Sequence, residues 1–331
     1  MAREPRRSGT TGSKIHEGLT GARELVGTNY LAKNSLRAEY EKEIAPRTAA
    51  ALTRILQQTF PSAASERPSP PLRRAIDLGS GTGAAGSALR AHFGVTFDLV
   101  SVDSHVKGAG IRNLDVTSPS AIASLGRQHD LVVAAHVLNE LLLDVLPDER
   151  IVQMVRIVRH WFDSLCADDG TMILLEPALR DTSRTLLKVR DGLIAGGLHV
   201  IAPCFLQAPC PALAIDRDWC HDSVVAEKGR RVDFSYLVLR KSQTEVVDPF
   251  LVRIVSDALP EKGKIRFFAC GSAGRVATIR LDKNKTKANA DFSKLKRGDV
   301  ARIERASPAS DGIRIAADTR VDRLPRANDL S

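Results

Sequence analysis

Cys204, Cys210 and Cys220 fall within seventeen residues, in the runs Ala202-Pro203-Cys204, Pro209-Cys210-Pro211 and Asp218-Trp219-Cys220-His221, and Cys270 follows in a second apolar stretch. The chain has five cysteines, so four of them in two segments is a concentration of thiol that packing does not require. Thiolates are soft ligands, and a set converging from separate segments suits a soft metal ion or an iron–sulfur centre. The fifth, Cys166, lies between a helical pattern and a strand pattern and reads as core.

A second chemical element lies upstream. Asp77-Leu78-Gly79-Ser80-Gly81-Thr82-Gly83 follows a short apolar strand pattern. At the carboxyl end of the first strand of an α/β sheet, Gly79, Gly81 and Gly83 let the backbone close on a ligand where a side chain would clash. Asp77 is placed to set the loop or to receive a ligand ammonium. Asp103 ends the next strand pattern, where it would accept both ribose hydroxyls, and Asp115 would reach an adenine edge. An amine and a ribose without phosphate describe S-adenosylmethionine. The segment Gly81-Thr82-Gly83-Ala84-Ala85-Gly86 also matches the dinucleotide fingerprint G-x-G-x-x-G. The early acid and the lack of other dehydrogenase marks favour the methyl donor over a dinucleotide or an empty, degenerate loop.

The third element, Ala134-Ala135-His136-Val137-Leu138-Asn139-Glu140-Leu141, ends the strand pattern that begins at Asp130. Ligand crevices in open α/β sheets lie at such strand ends. His136, Asn139 and Glu140 are therefore the candidate catalytic groups, bordering cofactor and acceptor. An equal reading makes Asn139 and Glu140 mere capping and solvating residues. The Asp/Asn-Pro-Pro-aromatic tetrapeptide that stacks a flipped base is absent here, as is a cysteine for attack on a pyrimidine carbon. Methyl transfer needs mainly in-line positioning, so this segment permits turnover without requiring it.

These elements need a scaffold, and the periodicities supply one. Residues 1–15 are polar and read as disordered. Residues 16–60 form a helical N-terminal region in which Pro46 ends one helix and starts the next. The proline-rich stretch 61–71 is a linker. From 72 to 242 strand and helix patterns alternate, which implies a mostly parallel sheet covered on both faces, with a cysteine-rich insertion at 203–233 before the last strand. Short strands between Gly and Lys turns make 243–305 a small, basic, β-rich appendage, and 306–331 reads as a polar tail. The fold class is α/β: a Rossmann-like sheet with a helical N-terminal region and a β-rich C-terminal appendage.

At 331 residues, 43% hydrophobic and 26% charged, the chain can bury a full core as a soluble globular protein. The most apolar run, Leu131 to Leu146, is broken by His136, Asn139, Glu140 and Asp144, so no membrane role is expected. The basic start leads to no apolar secretory core, and Glu4, Glu17 and Glu24 argue against a transit peptide. The cysteines are accordingly expected to be reduced or metal-bound in a bacterial cytoplasm, or in the mitochondrial matrix if the source is eukaryotic. Of the net charge of +9, residues 228–305 carry nineteen Lys and Arg against nine Asp and Glu, the footprint of a phosphate-rich partner. The oligomeric state is not legible.

Seven segments occur together in an order that resembles a known family: the glycine loop, His136–Leu141, Leu175-Glu176-Pro177, Val200–Cys204, Pro209-Cys210-Pro211, Asp218–His221 and Phe234–Leu239. They look like the methyltransferase-like family associated with the mitochondrial small ribosomal subunit and its bacterial relatives, over roughly residues 20–305. The resemblance implies a class I S-adenosylmethionine-dependent methyltransferase fold, work on the small ribosomal subunit or its rRNA in assembly or translation, and a 4Fe–4S cluster held by Cys204, Cys210, Cys220 and Cys270. The chain departs from the pattern at Asp222, where relatives tend to carry Phe. Spacing bears on the metal: structural zinc sites favour tight C-x₂₋₄-C knuckles, so this open set suits a cluster better than zinc with His221 as an extra ligand, or than plain core cysteines. Three functions stand: a cluster-stabilised small-subunit factor with a methyl-donor pocket, an active RNA methyltransferase, and a small-molecule methyltransferase. Without stacking groups near His136–Leu141 the first is favoured.

Overall fold

The computed structural model describes residues 13–60, 72–106, 108, 110–226, 229–242, 248–310 and 312–324. The expected linker at 61–71 and residues 1–12 of the expected disordered start lie outside the described residues. Residues 13–15 are ordered: Ser13 accepts from the His16 N–H and caps α1 (Lys14–Thr20), and Ile15 is fully buried. Two further helices follow, α2 (Asn34–Glu43) and α3 (Ala45–Thr59). Pro46 sits in the first turn of α3, where its missing N–H costs nothing. Ala51, Leu52, Ile55 and Leu56 form the buried stripe of that helix.

The central sheet is built from β1 (Arg74–Leu78), β2 (Asp98–Asp103), β3 (Ile111–Asn113), β4 (His129–Ala135), β5 (Cys166–Pro177), β6 (His199–Ala202), β7 (Asp222–Val225) and β8 (Arg231–Arg240). Its order is β3-β2-β1-β4-β5-β8-β6, with β7 added onto β8. The first five strands pair in parallel, and β8 runs antiparallel between β5 and β6. A late strand slotted antiparallel beside the edge strand of a Rossmann-like sheet is the class I methyltransferase arrangement. Its two faces are covered as alternation implied. Helices α3 and α4 (Ala84–Phe93) pack on one face. Helices α5 (Pro119–Ala123), α6 (Pro147–Leu165) and α7 (Arg180–Ala195) pack on the other, where Met154, Val158, Trp161, Phe162 and Leu165 of α6 are buried. The chain reverses direction across the sheet between β1 and β4, so the glycine loop and His136 share one crevice.

The appendage is a barrel. Its strands are β9 (Leu251–Ile254), β10 (Leu259–Glu261), β11 (Lys264–Gly271), β12 (Gly274–Leu281), β13 (Val300–Glu304), β14 (Ser307–Ala309), β15 (Gly312–Ile315) and β16 (Arg320–Arg323). β9 pairs antiparallel with both β11 and β13, β11 with β12, and β12 runs parallel to β15. The β13–β14 arm then pairs back on the β15–β16 arm. Counting each arm as one bent strand gives the closed order and the single parallel pairing of the OB-fold, with a short helical segment (Lys287–Lys294) before the fourth strand. Phe267 and Phe292 meet edge to face at 5.2 Å in its core. The expected polar tail needs correcting. Residues 307–323 close this barrel and bury Ile315 and Val321. Their alternation is masked because the outward positions are Arg and Asp.

Candidate functional site

The glycine loop demands its glycines. Gly79, Gly81 and Gly83 all have positive φ (68°, 52° and 84°), and a side chain at Gly79 would come within 2.6 Å of Val137. Beneath the loop, Asp77 is 1% exposed and neither carboxylate oxygen has a hydrogen-bond partner among the described residues; the Gly86 N–H stands near but outside bonding geometry. Burial pushes this carboxyl up to about 7. A buried, unpartnered carboxyl under a glycine loop fits a ligand ammonium, which is the role the sequence suggested.

The other two acids make backbone contacts. Asp103 was expected to accept both ribose hydroxyls. Its Oδ2 accepts from the Gly81 N–H (2.9 Å) and its Oδ1 from the N–H groups of His105 and Val106 (2.8 Å each). It splints the glycine loop to the segment after β2 and keeps room for about one further hydrogen bond. Asp115 is exposed and accepts from the Thr117 N–H and hydroxyl (2.8 and 2.7 Å) in a local turn next to Val116, which lines the pocket. The cavity beside the loop, about 160 Å³, is walled by Gly79, Gly81, Asp103, Val106, His136 and Glu140, and closed by Tyr30 and Leu31 of the N-terminal region.

At the end of β4, His136 adopts φ +63°, a left-handed conformation that costs a side-chain-bearing residue about 1–3 kcal/mol. Its N–H donates to the Leu175 carbonyl (2.7 Å), and burial holds its imidazole down to about 4, so the ring is neutral. Glu140 receives the Tyr30 hydroxyl (3.2 Å), and burial lifts its carboxyl to about 7. Asn139 serves structure: its amide donates to the His136 carbonyl (2.9 Å) and accepts from Arg23 (3.3 Å). Sequence reasoning missed Glu176 of the Leu-Glu-Pro segment. Its buried carboxylate caps the turn by accepting from the Leu138 and Asn139 N–H groups (2.9 and 3.2 Å). An acid at the end of the neighbouring strand was the available signal.

The second site lies where the sheet meets the barrel. Cys204 follows β6, Cys210 and Cys220 lie in the insertion, and Cys270 is on β11, yet all four line one cavity with Trp219, His221 and Arg253. Its free space, about 40 Å³, admits a few waters and no organic ligand. Burial, then the neighbouring thiols, push Cys220 and Cys270 up to about 12. Arginines ring the set, Arg190 and Arg253 buried and Arg275 partly exposed. Arg253 pairs with Asp222, Arg190 holds the Leu206 and Ala208 carbonyls, and Arg275 on the barrel pairs with Asp218 in the insertion. An all-sulfur donor set in a cationic shell fits a thiolate-bound, anionic centre. Among the described residues no three His, Cys, Asp or Glu side chains are placed to hold one metal ion, which favours neither a cluster nor zinc, and the His221 ring stacks on Trp219 at 4.3 Å. Cys166 is buried core, as expected.

Residues 37–302 match the sequence family described as mitochondrial small ribosomal subunit Rsm22. The chain belongs to this family. The Rsm22 match runs from α2 through the sheet and the cysteine insertion to β13, so both sites fall inside it. No curated protein sequence matches the chain. Among solved structures, a chain of a fibrillarin/Nop5p complex is 10% identical, with 59% of this chain and 83% of that one covered at TM-score 0.36. Aeropyrum pernix fibrillarin with natively bound S-adenosyl-L-methionine is 14% identical (58% and 76% covered, TM-score 0.34). TrmN from Thermus thermophilus is 15% identical (60% and 52% covered, TM-score 0.33). Likenesses this distant carry no chemistry; the methyltransferase fold is read from strand order. Among the described residues no helix is long and apolar enough to cross a membrane.

Proposed function

We propose that this protein is an assembly or translation factor of the small ribosomal subunit that contacts subunit RNA, binds S-adenosylmethionine at the glycine loop, and holds a 4Fe–4S cluster between its sheet and its barrel. Membership of the Rsm22 family over residues 37–302 carries the reading. The barrel supports it with a surface: OB topology, exposed Lys283, Lys285 and Lys287, and Phe268 on the outer face of β11 under Arg266 and Arg275 (5.9 and 4.8 Å). The compartment is that of the ribosome served, mitochondrial matrix or bacterial cytoplasm. Reversing the three lysines to glutamate should weaken binding to small-subunit RNA and flatten the slope of log K against log salt by about 2, since each phosphate contact on a single strand contributes about 0.7. An unchanged slope would remove this surface from the reading.

S-adenosylmethionine would supply an electrophilic methyl group at the mouth of the loop. The chain's part is to receive the ammonium at Asp77 and to fix the loop through Asp103. Because the empty site holds a proton on Asp77 up to about 7, ligand binding must release that proton at lower pH. Affinity should rise by up to about tenfold per unit from pH about 5 to about 7 and level off above. Asp77→Asn should bind weakly with no such slope. Calorimetry in buffers of different ionisation enthalpy reads the released proton directly; a flat profile in the native protein argues against the ammonium contact.

In the cysteine cavity, Cys204, Cys210, Cys220 and Cys270 would be the cluster ligands. The role proposed is structural, tying the insertion to the barrel so that the RNA-facing surface has one orientation relative to the sheet.

A further inference from the structure

Aromatic side chains from elsewhere in the chain border a second space beside His136–Leu141. A cavity of about 740 Å³ lies between the N-terminal helices and the ends of β4, β5 and β8. This is within the range of ligand pockets, a few hundred to a thousand Å³. Its walls include Tyr30 and Tyr40 from the N-terminal region, Phe234 from β8, and His136 and Glu140 from the strand-end turn. Tyr30, Tyr40, His136 and Glu140 also line the cavity beside the glycine loop, so the two spaces adjoin through a common wall. The shared wall contains the strained backbone of His136, and Arg23, which bonds Asn139 in the same turn, is left-handed too (φ +60°). The carboxyl of Glu140 faces this space with one hydrogen bond from Tyr30, leaving capacity to read a polar edge.

Charge selects the occupant. Arg47, on α3, reaches the cavity half-buried; its guanidinium makes no hydrogen bond or ion pair with a described residue, though the Glu43 charge lies near it. Arg231, also on the wall, is already held by Asp233 and Asp257. Aromatic walls, a polar edge-reader and an uncommitted guanidinium together suit a planar heteroaromatic ring carrying a phosphate.

We propose that this cavity is a binding site for a single extruded nucleotide of an RNA strand, its base at the edge formed by Tyr30 and Tyr40 near Glu140 and His136 and its phosphate at Arg47. The proposal rests on the protein being an RNA partner, and it differs from barrel contact in being a one-nucleotide site. Enzymes and readers that address one base take it out of the stack into such a pocket.

The test uses the full chain and 5′-mononucleotides at millimolar concentration, read by saturation-transfer NMR. Base protons should receive saturation from the native protein, and the matching nucleosides should bind more weakly. Arg47→Ala should weaken nucleotide binding about tenfold, the size expected for loss of one charge-assisted contact. Arg47→Gln, which keeps the apolar stem, serves if Arg47→Ala misfolds. Reversal of Lys283, Lys285 and Lys287 should leave mononucleotide binding intact while reducing RNA binding. No transfer to any nucleotide, or equal binding by Arg47→Gln and native protein, overturns the site even where RNA binding through the barrel survives. Unchanged RNA binding by the lysine-reversed variant, with nucleotide binding retained, overturns only the barrel surface.

Discussion

Protein prepared without oxygen should be brown and carry about four irons and four sulfides per chain, and Cys220→Ser should release them. The expectation rests on one juxtaposition: thiols on β11, after β6 and in the insertion line the same buried cavity. Unmetallated, Cys220 and Cys270 would stay protonated near pH 7, because burial and mutual repulsion oppose four adjacent thiolates. A metal–sulfide core offsets that repulsion, and the shell of Arg190, Arg253 and Arg275 favours the resulting negative charge. Cys220 is the informative position since its main chain is independently fixed by Ser235, whose hydroxyl donates to the Cys220 carbonyl (3.0 Å). The serine variant should keep its local fold and lose the colour. Colourless native protein, or one zinc per chain, would sink the cluster.

The second large effect is on stability. Asp222 and Arg253 are 2% and 6% exposed and form an ion pair across the junction of sheet and barrel, with Arg253 also lying over the Tyr236 ring at 5.6 Å. Removing one partner strands the other charge in the interior. Asp222→Ala should therefore cost about 3–5 kcal/mol, a fall in Tm of roughly 6–20 °C at about 2–4 °C per kcal/mol for domains of this size. The double change Asp222→Leu with Arg253→Met should recover most of the loss, because two apolar groups leave no charge uncompensated. If the double variant melts as low as the single one, the pair is not what holds this junction. The pair also accounts for the departure at Asp222. A carboxylate here answers the arginine of β9, and its side chain lies against Gly298, where any added Cβ would strike it at 2.0 Å.

What could be read from the chain alone was whatever repeats or clusters within a few residues. The glycine loop was legible because each of its three glycines answers a local backbone demand. The sheet was legible because strand and helix impose periods of 2 and 3.6 on buried residues, and the cysteines because rare residues in a short run stand out against composition. Tertiary structure decided what depends on distance through space. It showed that Asp103, besides lining the cavity, splints the glycine loop, and that Asp115 is engaged in a local turn beside Val116, since an acid at a strand end can bond whichever N–H groups lie nearest. It added strands 307–323 to a barrel, because an edge must be paired even by a polar-looking segment. It also brought Tyr30, Tyr40, Arg47 and Phe234, more than two hundred residues apart at the extremes, around one cavity. No local pattern marks such residues, for their partnership exists only once α1, α2 and α3 have closed over the ends of the strands.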